Sequence, residues 1–179
     1  MTFIEIIDGF LPWIFDKISN PFLDAVMVFL TKLGDGGILW ICLIIAMLAS
    51  KKYRRLGIVC AISLTICFFT GNYILKPLVA RVRPCNLNSE LPLLIPRLYD
   101  FSFPSMHTAT AFSVSAVVFS EYKKCGTWML FLSFFIGLSR VYLNVHYTTD
   151  ILFGALYGVL VAYLVKLLLK NAKFSSKGY

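Results

Sequence analysis

The sequence predicts an all-α fold, a polytopic membrane helical bundle of six transmembrane helices with an N-terminal interfacial helix. Two observations predict it. Apolar residues make up 59% of the 179-residue chain and Asp, Glu, Lys and Arg only 15%, against roughly 25% charged residues in an ordinary soluble domain. The apolar residues also gather at 21–33, 37–50, 56–75, 108–120, 127–138 and 151–169, in stretches approaching the roughly 20 residues a helix needs to cross hydrocarbon. The first, second and fifth are short, and cross only with flanking residues or in a thin or tilted arrangement.

Residues 1–19 mix Phe3, Ile4, Ile7, Phe10, Leu11 and Ile14 with Glu5, Asp8, Asp16 and Lys17. Their helical spacing predicts an amphipathic helix in the membrane interface; extension of the first span is the alternative. The segment lacks the positive start and small-residue cleavage site of a secretory signal, so it is expected to be retained. Gly34-Asp35-Gly36-Gly37 reads as an outer turn joining the first two spans. With no repeats or low-complexity linker, 20–170 is expected to be one membrane domain and 171–179 a basic cytoplasmic tail.

Basic residues set the expected orientation. Lys51, Lys52, Arg54 and Arg55 follow the second stretch, Lys123 and Lys124 the fourth, and Lys166, Lys170, Lys173 and Lys177 close the chain. Such residues are retained inside, which predicts a multi-pass plasma-membrane protein with both termini cytoplasmic. The net charge of +8 is accounted for by anionic inner-leaflet lipid and implies no nucleic-acid partner.

Lys76, Arg81, Arg83, Arg97 and Arg140 fall at the opposite, external ends. Cations placed against the orientation rule have either lipid phosphates or an anionic substrate as partner. The five cysteines contain no CxxC pair, and two histidines are too few for a zinc pattern. Between Arg81 and Pro104 lies an unusually apolar external loop, read either as a roof over a site that admits lipid chains sideways or as packing over helix ends.

Three short patterns converge on that external end. Lys76 and Arg83-Pro84 are seven apart, two turns of one helix, so both cations can point the same way; Arg presents a fork of donors to phosphate and Lys a mobile charge. Pro104-Ser105-Met106-His107 precedes an apolar span. A serine there caps the helix, whose free N–H groups attract an anion, and His107 occupies the first turn. A lone histidine at an interface is more often structural. In Ser139-Arg140, His146 and Asp150, the last two are four apart, so Asp150 can accept a hydrogen bond from one imidazole nitrogen and leave the other free to attack. Cations, histidines, a serine and an acid on one side suit phosphoryl transfer, which needs positioning and charge neutralisation.

Taken together and in this order, the three patterns closely resemble the three motifs of the type 2 phosphatidic acid phosphatase family across about residues 20–170. The resemblance implies that His146 is the nucleophile forming a phosphohistidine and Asp150 orients it. It implies that His107 protonates the leaving lipid oxygen and then helps water attack. Lys76, Arg83, Ser105, Met106 through its backbone amide, and Arg140 would hold the phosphoryl oxygens, with no metal and no cofactor. One departure stands out: the family has glycine where this chain has Met106, which lacks glycine's backbone freedom but keeps the N–H.

The implied partners are the bilayer and a lipid phosphate or diphosphate, best undecaprenyl diphosphate converted to undecaprenyl phosphate, with phosphatidylglycerol phosphate and phosphatidic acid as alternatives. A non-enzymatic lipid transporter or scrambler would explain the cations but not the His146–Asp150 spacing. Vanadate haloperoxidases share the motif architecture but are soluble.

Overall fold

In the computed structural model, which describes residues 2–88 and 90–170, the chain folds into helices and connecting loops. The predicted tail 171–179 lies outside the described residues. α1 (Phe3–Ile18) opens on a capping box in which Thr2 Oγ1 accepts from the Glu5 N–H and Glu5 accepts from the Thr2 N–H. α2 (Pro21–Gly34) starts where Asn20 Oδ1 accepts from the Leu23 N–H at 3.0 Å and Pro21 stands at the first helical position, where no donor is needed. α3 (Ile38–Ala49) follows. α4 (Arg54–Thr70) runs through a π-helical turn, Gly71–Leu75, into α5 (Lys76–Val79), which Ala80 ends in a left-handed conformation at φ 49°. The short α6 (Pro84–Leu87) and a loop lead to α7 (Met106–Glu121), α8 (Lys123–Tyr142) and α9 (Thr148–Leu169).

Among the described residues, four stretches are long and apolar enough to cross a membrane: Pro21–Ala49, Arg54–Leu87, Lys123–Tyr142 and Thr148–Leu169. The sequence predicts six, because it reads Gly34–Gly37 as a reversal. The structure differs there. Asp24, early in α2, accepts from the Tyr142 hydroxyl at 2.5 Å at the end of α8, and Thr31 accepts from Arg140. Gly34 abuts Ile136. Past the break, Trp40 and Ile44 of α3 pack with Val114, Val117 and Val118, deep along α7. The Leu48 carbonyl then accepts from Arg54, and the Tyr53 ring meets Tyr122 at 5.5 Å. These partners descend steadily from one end of the bundle to the other, so α2 and α3 are two halves of one traversal. Gly36 (φ 59°) and Gly37 (φ 69°) interrupt the helix without turning the chain back.

The ends of the described chain therefore lie apart. Asp8 of α1 meets Arg81 and Thr149, beside the start of α9. Lys166, near the end of α9, meets Ser120 and Glu121 at the other end. Among the described residues, α1 lies at the end of the bundle that holds His146, and α9 finishes at the end that gathers Arg54, Arg55, Lys123 and Lys124.

α7 is the buried centre, sixteen residues long and packed by α4, α8 and α9. Its approach to α9 is backbone to backbone. A Cβ at Gly158 would lie 2.2 Å from the Ala109 carbonyl oxygen, and one at Gly154 2.8 Å from that of Ser105. Small residues of this kind let membrane helices touch closely, and here they set the start of α7 against the start of α9. The outward faces carry exposed Leu156, Leu160, Leu164 and Leu168 on α9 and Phe131 and Phe134 on α8, as a surface solvated by lipid tails requires.

Candidate active site

At the end of the bundle where α7 and α9 begin and α8 stops, Lys76, Arg83, Ser105, Arg140, His146 and Asp150 are all buried. Buried charge at this density is costly unless paired or awaiting a partner. The structure brings every sequence-predicted site residue to this end.

His146 lies in the loop just before α9 rather than on it, so the shared helix face inferred from its spacing to Asp150 does not exist. The contact forms differently. Asp150 turns back over the first turn of α9 and accepts from the Tyr147 N–H at 3.0 Å, which brings Oδ2 to 3.3 Å from His146 Nδ1. On the other side of the ring, His146 Nε2 lies 3.0 Å from Arg83 Nη1. A guanidinium only donates, so Nε2 is the acceptor and Nδ1 carries the proton toward Asp150. That is the tautomer with its lone pair on Nε2. Burial, then the charges of Arg83, Arg140, His107 and Lys76, hold the His146 imidazole well below its usual range.

Lys76 and Arg83 meet, but not along one helix. Ala80 ends α5, and Arg83 stands before Pro84, where the extended backbone disfavours helix. A carboxylate unites them: Asp100 pairs with Lys76 Nζ and accepts from Arg83 Nη2 at 2.8 Å, while Arg83 Nη1 also donates to the Val145 carbonyl at 2.7 Å. Burial pushes the Asp100 carboxyl up, but Lys76 and Arg83 outweigh it and hold it below the usual range.

Arg140 is 2% exposed; Nη1 donates to Thr31, and Nε has no hydrogen-bond partner among the described residues. Ser105 stands at the N-cap of α7, yet its side chain does not cap the backbone; Oγ accepts from Thr108 Oγ1 at 3.0 Å. Its N–H donates to the Asp150 carbonyl at 3.2 Å. The first-turn N–H groups of Met106 and His107 lack intrahelical acceptors by position. His107 Nε2 lies 2.9 Å from Asp35 Oδ1. Met106 adopts ordinary helical geometry, and its side chain packs over Gly71, where a Cβ would meet its Sδ at 2.3 Å.

The sequence patterns did not assign Asp8, Thr31, Asp35, Arg81 or Asp100 to the site. Arg81 donates from Nη1 to Asp150 Oδ1 at 2.7 Å and from Nη2 to Asp8 Oδ2 at 2.5 Å. An acid within an apolar helix was the one available signal for Asp8. Arg97 instead braces the loop, donating to the Leu91 carbonyl at 3.1 Å.

The arrangement can bind a tetrahedral anion between cations and first-turn amides, with an imidazole lone pair beside it. Comparison with known proteins gives the chain's family. The family description "PAP2 superfamily" matches residues 52–174. Over 144 residues the chain is 33% identical to an undecaprenyl-diphosphatase of Sulfolobus acidocaldarius, covering 79% of this chain and 68% of that one. It is 32% identical over 167 residues to phosphatidylglycerophosphatase B of Bacillus subtilis, covering 83% and 76%. The crystal structure of a transmembrane PAP2 type phosphatidylglycerolphosphate phosphatase from Bacillus subtilis superimposes with a TM-score of 0.74 at 25% identity, covering 99% of this chain and 90% of that one. With a matching family description over most of its length and phosphatases as its relatives, the chain belongs to the PAP2 superfamily and is a membrane lipid phosphatase.

Proposed function

We propose that the chain hydrolyses a lipid diphosphate, undecaprenyl diphosphate to undecaprenyl phosphate, through a phosphohistidine on His146. The observation that carries the reading is the His146 ring, held by Asp150 at Nδ1 and presenting the Nε2 lone pair among buried cations. The terminal phosphoryl group displaces Asp100 from Lys76 and Arg83 and also meets the unpartnered Nε of Arg140 and the amides of Met106 and His107. Arg83 Nη1 turns from Nε2 to a phosphoryl oxygen, the freed Nε2 attacks phosphorus, the bond to the bridging oxygen breaks, and His107 gives that oxygen its proton. Water then attacks the phosphohistidine, His107 takes a proton from it, and inorganic phosphate leaves. The cations neutralise the equatorial oxygens, so no step calls for a metal.

The basic end of the bundle is read as cytoplasmic by the rule that Lys and Arg near span ends stay inside. The site then opens on the external side, where α1 lies in the interface with its apolar residues toward lipid. The choice of lipid rests on relatives whose names specify undecaprenyl diphosphate; others are named for phosphatidylglycerophosphate and lipid A.

The test is phosphate release by purified protein, with chelator present, from undecaprenyl diphosphate, phosphatidylglycerol phosphate and phosphatidic acid side by side. Fastest turnover of the diphosphate, with an acid-labile phosphoenzyme absent from His146→Ala, is expected. Release from none of the three, or unchanged turnover by His146→Ala, refutes the reading.

A further inference from the structure

α1 is an exposed helix with one buried residue, Asp8, at 8% exposure. An ionised side chain is buried only where it is paired, and Asp8 is paired on both oxygens. Oδ1 accepts from the N–H and the hydroxyl of Thr149, each at 2.8 Å, and Oδ2 accepts from Arg81 Nη2 at 2.5 Å. The other arm of Arg81 donates to Thr149 Oγ1 at 2.8 Å and to Asp150 Oδ1 at 2.7 Å, while its plane stacks 3.7 Å over the Tyr147 ring. Fork geometry lets one guanidinium serve two carboxylates at fixed angles. The carboxylate that touches His146 is thereby gripped on one oxygen by a guanidinium whose far side is gripped by α1.

We propose that Asp8 is a positioning residue of the reaction: from the N-terminal helix it holds Arg81, through Arg81 it sets Asp150, and through Asp150 it sets His146. The proposal rests on His146 being the nucleophile. Asp8 touches no reacting atom. Its two effects are geometric and electrostatic. It fixes the Asp150 oxygen that faces Nδ1, and it offsets the charge Arg81 would otherwise direct entirely at Asp150. A surface helix held only for stability would need neither the shared guanidinium nor the contact with Thr149, one residue from Asp150.

The electrostatic part has a definite sign. Around His146 stand Asp150 on α9, Arg140 on α8, His107 on α7, Lys76 at the start of α5, and Arg81, Arg83 and Asp100 in the segment between α5 and α7. Removing the Asp8 charge leaves this set more positive, which disfavours the imidazolium. The acid limb of the activity profile, set by His146 losing its proton, then moves to lower pH.

The experiment compares Asp8→Asn, Asp8→Glu and, as a control on the same helix, Asp16→Asn in the intact protein, with kcat and KM measured across pH. Asp8→Asn is expected to lower kcat by roughly tenfold to a hundredfold, the scale on which partners of an active-site ligand act. KM should hardly change, and the acid limb should move downward. Asp8→Glu, which keeps the charge, is expected to keep the limb in place and recover part of kcat. Wild-type kcat in Asp8→Asn, or a loss with an unmoved limb, overturns the proposal and makes Asp8 a tether for α1. Either result with an inactive His146→Ala leaves the phosphohistidine reading intact; an active His146→Ala removes that reading instead.

Discussion

Asp100 Oδ1 lies 2.8 Å from Arg83 Nη2, and the same carboxylate pairs with Lys76. The site thus pairs two of its cations with an acid from its own loop. A carboxylate and a phosphoryl group present oxygens to a guanidinium alike, so substrate and Asp100 compete. Asp100→Ala should therefore bind tetrahedral anions more tightly, with orthovanadate inhibiting at a concentration about fivefold to tenfold lower, a modest charge-pair effect. Weaker inhibition would mean that Asp100 chiefly holds Arg83 in place.

Gly34 is a second sensitive point. A Cβ there would stand 2.8 Å from His107 Cδ2 and 3.0 Å from Ile136 Cγ2. Its φ of −87° allows alanine, so the effect of Gly34→Ala comes from crowding alone. The His107 ring must shift, disturbing its contact with Asp35, and turnover should fall by about a hundredfold, as for small misplacements of catalytic groups. Circular dichroism and elution volume should match wild type. Undiminished phosphate release would place His107 outside the chemistry.

The pH profile should separate free from bound enzyme. His146 attacks only when neutral, and burial among cations already favours its neutral form. The acid limb of kcat/KM, which reports the free enzyme, should lie below the ordinary histidine range of about 6.5. A bound phosphate dianion favours the imidazolium, so the acid limb of kcat should lie at higher pH than that of kcat/KM. The basic limb marks loss of the His107 proton, giving a bell. Coincident acid limbs, or a flat profile, would contradict these roles.

Met106 can be tested by restoring the family's glycine. Its side chain, buried over Gly71 and beside Cys67 and Ala109, fills space rather than touching the anion. Met106→Gly should keep the backbone N–H and most activity while losing about 2 kcal/mol or more of stability to the cavity. A thermal melt in detergent measures the loss. An inactive but equally stable protein would show that the side chain itself serves catalysis.

What the sequence revealed was local or periodic. The three patterns named His107, His146, Asp150, Arg83 and Arg140 because their residue types are rare in apolar chain. Hydropathy likewise marked the stretches that cross. Residues whose meaning depends on distant partners were not legible. Asp100 is one acid among Tyr99 and Phe101 until the loop folds onto Lys76, and Thr31 is an ordinary helix residue until Arg140 reaches it. Spacing also misled where the backbone leaves the helix, at Ala80 and before Thr148. At Gly36 and Gly37, two left-handed residues in a row suit a reversal and a kink equally; only the partners of Trp40 and Ile44 decide between them.

The separation of α1 from the end of α9 bears on how the chain is built into a bilayer. If the basic end of the bundle faces the cytoplasm, as proposed, α1 has to be carried across during insertion, taking Asp8 and Asp16 with it, whereas Lys166 and Lys170 stay on the side of synthesis. On that orientation, fluorescent reporters fused ahead of α1 and just after Lys170 would light up in different compartments, and a bulky domain ahead of Thr2 would hinder delivery of the very helix on which Arg81 closes.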